Sequence, residues 1–299
     1  MKEVLTCSYV LVTPARNEEA FIELTIKSVI AQTLCPAKWV IVSDGSTDRT
    51  DEIVSRYAEK YPWIELVRMP ERSERHFAGK VYSFNAGFER VKDIHYDFIG
   101  NLDADISFEA GYFDFLIGKM VADPLLGVTG TPFTEDGKTY DYRFASTDHV
   151  SGACQVFRRP CFEAIGGYVP LKEGGVDLVA VTTARMKGWK TQTFTEKSCE
   201  HHRKTQSGKY ASLPRLFKSG YHDYLMGSAP LWQLLRSLRH LSSPPVLTGG
   251  TALLAGYIWA FLSRARKPVS REFIAFRRKE QRRRLVGLFR GTLPARAAH

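Results

Sequence analysis

Four short apolar segments alternate with segments of helical character in the first hundred residues of the chain. The apolar segments are typical of buried strands, and they are Ser8–Thr13, Trp39–Ser43, Ile64–Val67 and Asp97–Leu102. Helices are predicted between them, over residues 18–32, 50–61 and 80–90, with Asn17 as the cap of the first and Asp48 as the cap of the second. This alternation predicts βαβ units, and therefore an α/β fold with a mostly parallel sheet flanked by helices.

Polar residues directly follow three of these strands. The three segments are Pro14-Ala15-Arg16-Asn17, Asp44-Gly45-Ser46 and Asp103-Ala104-Asp105. Ligands of open parallel sheets bind beyond the carboxyl ends of the strands, so we expect the three segments to meet at one edge. The first strand is not followed by GxGxxG, and the chain contains no GxxxxGK[ST]. Dehydrogenases and P-loop nucleotide-binding proteins are therefore disfavoured.

Asp103 and Asp105 are separated by a single residue at the end of the fourth strand. Side chains two positions apart in an extended chain project to the same side, so both carboxylates can face one ligand. Together with phosphate oxygens, two carboxylates suit a hard divalent cation, Mg²⁺ or Mn²⁺. A solvated turn is the alternative for this pair. Asp44 has the chemistry to accept hydrogen bonds from a base or a ribose.

Four motifs in order resemble glycosyltransferase family 2, whose members have the GT-A fold. The motifs are Thr13–Glu19, Val42–Asp48, Gly79-Lys80 with Asn85-Ala86-Gly87, and Leu102–Asp105. The resemblance covers residues 8–105 and extends more loosely to about Trp189. Processive synthases of the family carry a QxxRW motif beyond this region, and none is present here. The resemblance therefore implies a non-processive, inverting enzyme that adds a single sugar.

The resemblance also implies roles for individual residues. The donor nucleotide would be bound by Pro14, Ala15, Asn17, Glu18, Asp44, Lys80 and Asp103. Asp105 would be the principal metal ligand beside Asp103. One histidine of the pair His201-His202 is a candidate for a further metal or diphosphate ligand, and His202 is the one selected. Gly152 and Glu173 are assigned to the acceptor pocket.

Asp177 corresponds to the second acid of the pair that supplies the catalytic base in this family. Val176 stands where a glutamate is usual, and Glu173 is a competing base if the loop register differs. A cap for the following helix is the structural alternative for Asp177.

The function implied is transfer of one sugar from a nucleotide-diphosphate sugar to a glycan, lipid-linked or small-molecule hydroxyl, as in polysaccharide biosynthesis. Mg²⁺ or Mn²⁺ would neutralise the diphosphate, and one base with in-line attack would invert the anomeric carbon. Two alternatives stay open. One is a catalytically silent nucleotide-sugar-binding or scaffold protein, which stays open because Val176 replaces the usual glutamate. The other is a sugar nucleotidyltransferase, which the absence of a Gly-rich basic loop after the first strand disfavours.

The basic residues are concentrated at the C-terminus. Residues 264–299 contain 12 Lys and Arg against two acids, so this tail alone accounts for the formal net charge of +10. A neutral body with a basic tail indicates a partner for the tail alone, either an anionic membrane surface or RNA. The tail has no interleaved aromatic platforms for bases, so we expect the membrane surface and no nucleic acid. We therefore divide the chain into a catalytic domain, residues 1–225, and a helical basic extension, residues 226–299.

Residues 241–263 are uncharged and long enough to cross a bilayer, but one crossing would leave the basic tail on the non-cytosolic side. Five cysteines without a CxxC pair and a polar N-terminus predict a cytoplasmic protein. We therefore expect a peripheral protein on the cytoplasmic face of the membrane, with a soluble helical extension as the alternative.

Overall fold

The computed structural model of the chain describes residues 7–71, 78–135, 138–139, 146–203, 212–242 and 244–289. Its contacts divide the chain into two compact units, Met1–Lys204 and Thr205–His299. The domain boundary expected at residue 225 lies one helix after the division that the structure shows at Lys204. The difference arises because the helix Leu213–Leu225 packs against a later helix, Thr248–Leu262, within the second unit.

The first unit is built from strands alternating with helices. In chain order its elements are β1 (Tyr9–Ala15), α1 (Ile22–Ile30), β2 (Lys38–Asp44), α2 (Thr50–Lys60), β3 (Ile64–Met69), α3 (Ala78–Phe88), β4 (Phe98–Leu102), β5 (Ile106–Ser107), α4 (Tyr112–Ala122), β6 (Leu126–Gly130), β7 (Phe133–Glu135), β8 (Lys138–Thr139), β9 (Cys154–Arg158), α5 (Arg159–Ile165), α6 (Val176–Met186), β10 (Lys190–Thr193) and β11 (Cys199–His201). The α/β class predicted from the sequence is confirmed.

Seven of these strands form the central sheet, in the order β10-β6-β9-β4-β1-β2-β3. Neighbouring strands are parallel except at β9, which runs antiparallel to β4 and β6 on either side of it. A smaller sheet has the order β5-β11-β7-β8. The central strands carry the carboxyl ends of β1, β2 and β4 to the same edge, as the sequence predicted for a mostly parallel sheet.

The core lies on both faces of the central sheet. In β1, Tyr9 and Leu11 belong to one buried apolar cluster, and Val10 and Val12 belong to a second cluster. Because successive side chains of a strand point to opposite faces, the strand contributes to both clusters. A strand buried on both faces explains why its sequence is continuously apolar instead of alternating.

The turn after β1 differs from the prediction made for Asn17. Helix α1 begins only at Ile22, and Asn17 does not cap it. Asn17 instead has a φ of 54°, and its side-chain oxygen accepts a hydrogen bond of 2.9 Å from the backbone N–H of Thr47. Asp48 is likewise not the N-cap of α2, which is Arg49, but its carboxylate accepts a hydrogen bond of 3.0 Å from the backbone N–H of Thr50, the first residue of α2.

The second unit consists of helices α7 (Leu213–Leu225), α8 (Pro230–His240), α9 (Thr248–Leu262) and α10 (Arg271–Phe289). Helices α7 and α9 approach each other closely. A Cβ atom on Gly220 would lie 1.8 Å from the carbonyl oxygen of Leu253, so only glycine fits there. Among the helices in the described ranges, none combines the length and the apolar character needed to cross a membrane.

Candidate active site

The two acids of the Asp103-Ala104-Asp105 segment lie at the carboxyl end of β4. The backbone N–H of Asp103 donates a hydrogen bond of 2.9 Å to the carbonyl oxygen of Ala153, which ties this turn to the start of β9. Asp105 is buried, and Asp103 is partly exposed. The turn therefore presents two fixed carboxylates at the edge where β1 and β2 also end.

His201 completes a cluster with these acids. Strand β11 pairs antiparallel with β5, and this register sets His201 opposite Ile106, directly after Asp105. The Nε2 atom of His201 lies 3.5 Å from a carboxylate oxygen of Asp105. One ligand atom from each of Asp103, Asp105 and His201 falls within 4.8 Å of the others. Three convergent donors at this spacing can surround one cation.

His202, the histidine selected from the sequence, lies elsewhere. Its ring Nε2 forms a hydrogen bond of 2.8 Å with the Ser107 hydroxyl, and its ring stacks on Phe21 with centroids 6.2 Å apart. Its backbone N–H donates to the carbonyl oxygen of Asp105. His202 follows directly after the end of β11, and its ring contacts Ser107 and Phe21. The structure brings His201, and not His202, to the carboxylates.

The chemistry of this donor set fits a divalent cation. Two carboxylates suit Mg²⁺ or Mn²⁺, and an imidazole nitrogen is a ligand that Mn²⁺ accepts more readily than Mg²⁺. The other ring nitrogen of His201, Nδ1, is buried without a hydrogen bond and lies 3.5 Å from a Glu135 carboxylate oxygen. A carboxylate behind a metal-binding histidine is the usual way to orient the ring.

Lys80 connects this cluster to the rest of the site. Its ammonium group donates one hydrogen bond to Asp103 and a second, 3.2 Å long, to the carbonyl oxygen of Gly152. The side-chain amide of Asn101 donates to the same carbonyl. Burial lowers the pKa of Lys80, but the Asp103 carboxylate outweighs this and raises it above its ordinary value. Burial in turn raises the pKa of Asp103, and the Lys80 charge opposes that rise.

Asp177 lies beside Gly152. It is in the first turn of α6, and a Cβ atom added to Gly152 would lie 3.3 Å from the Asp177 Cβ. The absence of a side chain at Gly152 therefore lets the Asp177 carboxylate stand beside the backbone that Lys80 contacts. Glu173, the competing acid, is exposed in the loop before α6.

The residues assigned to the nucleotide form a second group at the same edge. Pro14 and Ala15 pair with Val42 and Ser43 in the sheet, which sets them beside the end of β2. Asp44 is buried, and its carboxylate lies 3.9 Å from the guanidinium of Arg16.

Gly45, the residue after Asp44, has a φ of +63°, and a Cβ there would lie 2.5 Å from the Glu71 Cα. The turn after β2 thus requires glycine for both its conformation and its close backbone approach.

Arg203, a residue without a role in the sequence analysis, connects Glu18 of the nucleotide group to Asp105 of the acidic cluster. The guanidinium of Arg203 bonds to the Glu18 carboxylate at 2.5 Å and lies 3.4 Å from a carboxylate oxygen of Asp105. Burial raises the pKa of Glu18 to about 7, an effect that the Arg203 hydrogen bond opposes. The signal for Arg203 in the sequence was only its position two residues after His201.

The geometry therefore defines a class of protein: an α/β domain that gathers a carboxylate–imidazole cluster suited to a cation, and a further carboxylate beside Gly152, at the carboxyl edge of a mostly parallel sheet. Residues 10–173, more than half of the chain, match the sequence pattern described as glycosyl transferase family 2. The chain belongs to this family.

Two bacterial proteins resemble parts of the chain in sequence. Poly-beta-1,6-N-acetyl-D-glucosamine synthase of Staphylococcus aureus is 32% identical over 117 residues, which are 39% of this chain and 26% of that protein. YdaM of Bacillus subtilis is 31% identical over 155 residues, which are 50% of this chain and 35% of that protein. The matched region thus spans about a quarter to a third of the length of these relatives.

Solved structures of transferases share the fold. The mannosyltransferase PcManGT from Pyrobaculum calidifontis, in complex with GDP-Man and Mn²⁺, superposes with a TM-score of 0.57 at 19% identity, over 96% of this chain and 82% of that one. Residues 1–349 of S. aureus TarS, in complex with UDP-GlcNAc, give a TM-score of 0.55 at 14% identity, over 96% and 82%. The GT-A fold expected from the sequence is confirmed.

Proposed function

We propose that this chain is an inverting glycosyltransferase that moves one sugar from a nucleotide-diphosphate sugar to a hydroxyl group. The observation that carries the proposal is the arrangement around Gly152. Asp103 contacts Lys80, Lys80 contacts the Gly152 carbonyl, and Asp177 stands against the Gly152 backbone. These contacts bring a carboxylate pair suited to a cation and a separate carboxylate into one short series of neighbours, which supports adjacent donor and acceptor positions.

Asp103, Asp105 and His201 would hold Mg²⁺ or Mn²⁺ in this enzyme. When bound, the cation supplies positive charge that neutralises the diphosphate leaving group. Glu135 would orient the His201 ring through its Nδ1 atom, and Asp105 would contact Arg203 as well as the cation. The complexes of the structural neighbours with GDP-Man and Mn²⁺ and with UDP-GlcNAc support a nucleotide-sugar donor.

Other residues of the first unit would bind the donor nucleotide. Pro14, Ala15, Asn17, Glu18 and Asp44 would bind the base and ribose, and Asp103 with Lys80 would lie at the ribose and diphosphate.

The Asp177 carboxylate would take the proton from the acceptor hydroxyl while the oxygen of that hydroxyl forms a bond to the anomeric carbon. The bond from that carbon to the diphosphate oxygen breaks on the opposite face, the nucleoside diphosphate leaves with the electron pair, and the configuration inverts.

The acceptor is proposed to be a glycan or a lipid-linked hydroxyl lying beside Gly152 and Asp177. The Staphylococcus relative is named as a synthase of poly-beta-1,6-N-acetyl-D-glucosamine, which supports a role in polysaccharide biosynthesis. We assign transfer to the first unit, and association with the cytoplasmic face of an anionic membrane to the basic extension, residues 226–299. The concentration of the net positive charge after residue 263 supports this assignment.

A thermal-shift panel of nucleoside diphosphates, with and without Mn²⁺, tests the donor site. A bound ligand stabilises the folded protein by mass action, so one base should raise the melting temperature more than the others, and only with the metal present. The same shift should disappear in Asp105→Asn and persist in His202→Gln. Donor binding without release of nucleoside diphosphate over a broad set of acceptors would instead favour the silent binding protein.

A further inference from the structure

Helix α8 carries a row of leucines on its exposed side. Leu231, Leu234 and Leu238 are 57%, 41% and 51% exposed, and their spacing of three and four residues sets them on one face. The opposite face of α8 is buried. A Cβ on Gly250 of α9 would lie 2.4 Å from the carbonyl oxygen of Ser237, so α9 covers that side. The leucines therefore point away from the partner helix of α8.

The C-terminal end of α9 is equally apolar and exposed. Trp259, Phe261 and Leu262 are 58%, 61% and 68% exposed, and Ile258 beside them is 45% exposed. The inward side of α9 is already occupied, because Tyr257 donates a hydrogen bond of 2.7 Å to the Ser228 carbonyl and Ala260 is fully buried. Large apolar side chains exposed together mark an interaction surface, since isolated exposed residues are the rule on monomers.

Basic side chains lie in the same unit as these apolar residues. The exposed positions along α10 are Arg271, Glu272, Ala275, Lys279, Arg282, Arg283 and Val286. The other side of α10 is held by buried Phe273, Gln281 and Leu285. Arg264 and Arg266 are exposed between α9 and α10, whereas Glu272 is the one exposed acid among residues 264–287. This surface is strongly cationic.

The combination selects one kind of partner. Leucine and tryptophan side chains that enter the headgroup region, with arginines beside them, are what an interfacial helix uses on an anionic lipid surface. A second copy of the chain is disfavoured, because its own α10 would present the same positive charge and repel the first. A crossing of the bilayer is disfavoured by the lengths of these helices, since α9 has 15 residues and a span needs about 20.

We propose that α8, the end of α9 and the exposed face of α10 form a docking surface for anionic phospholipid, with Leu231, Leu234, Leu238 and Trp259 inserted among the headgroups. This inference deepens the proposed membrane association by naming its contact residues. It does not depend on sugar transfer, because lipid binding is measured without donor or acceptor.

Co-sedimentation of the full-length protein with vesicles tests the proposal. We expect binding to phosphatidylcholine vesicles that contain phosphatidylglycerol, little binding to phosphatidylcholine alone, and weakening as salt is raised. Leu231→Glu should lower the partition coefficient by about tenfold. The double variant Arg282→Glu/Arg283→Glu should lower it by at least about tenfold, since each basic residue near the surface raises vesicle affinity by about fivefold.

Leu125→Glu is the matched control for Leu231→Glu. Leu125 is 58% exposed and lies in the first unit, between α4 and β6, so its replacement should leave vesicle binding unchanged. Wild-type fluorescence gives a second readout: anionic vesicles should shift tryptophan emission to the blue, and Trp259→Phe should remove most of that shift. No binding to anionic vesicles at low salt, or an equal loss in Leu125→Glu and Leu231→Glu, would overturn the proposal.

Discussion

The imidazole Nε2 of His149 lies 3.6 Å from a carboxylate oxygen of Asp177. His149 belongs to the segment before β9, whereas Asp177 lies in the first turn of α6, so the contact joins two separate parts of the chain. In family 2 a glutamate usually precedes this aspartate, but here that position is Val176. The polar neighbour of Asp177 is therefore a histidine from another part of the chain.

Replacing Asp177 with asparagine should abolish transfer while leaving donor binding intact. The substitution keeps the shape of the side chain but removes the proton acceptor, so kcat should fall by about 10²–10⁴-fold. The rate of nucleoside diphosphate release with acceptor present measures this, and calorimetric donor titration checks binding. Glu173→Gln changes the competing acid, which is exposed in the loop before α6, and it should retain the kcat of wild type, with any effect confined to the KM of the acceptor. A loss in Glu173→Gln with normal turnover in Asp177→Asn would show that Glu173 is the base.

Replacing His201 and His202 one at a time should separate their roles. His201→Gln removes an imidazole that faces Asp105, and we expect Mn²⁺ affinity to fall by at least about tenfold. His202→Gln replaces a ring that bonds to Ser107 and should leave Mn²⁺ affinity within about twofold. The Mn²⁺ affinity of each variant is measured by a titration in which electron paramagnetic resonance monitors the free Mn²⁺. Equal affinities of the two variants would contradict the cluster.

Two glycine substitutions should change stability in opposite directions. Gly45→Ala introduces a Cβ 2.5 Å from the backbone of Glu71 at a φ of +63°, so the free energy of unfolding should fall by about 1–3 kcal/mol. Gly118→Ala lies inside α4, where an added Cβ meets nothing within 4 Å, and it should stabilise by about 0.5–1 kcal/mol. Urea unfolding distinguishes them, and a Gly45→Ala protein as stable as wild type would refute the close approach.

The five cysteines should differ sharply in reactivity. Burial raises the pKa of Cys161 to about 12 and that of Cys199 to about 11, and it also raises the pKa of buried Cys154. The thiolate forms only as pH approaches the pKa, so these three thiols stay protonated and covered at pH 8. Exposed Cys35 should react first with a disulfide reagent, and mass spectrometry of the labelled peptides identifies the site. Rapid labelling of Cys161 in the folded protein would be inconsistent with this core.

Much of the fold followed from local pattern. The first four strands and the edge where three of them end could be predicted because each is a short apolar run followed by polar residues. Strand β9 could not be predicted in its place, because its insertion between β4 and β6 depends on pairings far apart in the chain.

The same limit applies to the site. Asp103 and Asp105 are separated by one residue, so the sequence alone could predict them as a pair. The choice between His201 and His202 depends on the register of β11 against β5, which neighbouring residues do not encode. Asn17 was assigned as a helix cap because its type fits that role, yet its side chain contacts Thr47, which lies in the turn after the neighbouring strand β2.

Release of nucleoside diphosphate from sugar donors tests the central claim most directly. Wild-type protein and Asp105→Asn would be incubated with a panel of UDP- and GDP-sugars, with a pool of glycan and lipid-linked acceptors, in Mn²⁺ and in chelator. We predict release by wild type from one donor in Mn²⁺, no release in chelator, and a loss of at least about a hundredfold in Asp105→Asn. Equal release by both proteins, or release that chelator leaves unchanged, would contradict a metal-held donor at Asp103, Asp105 and His201.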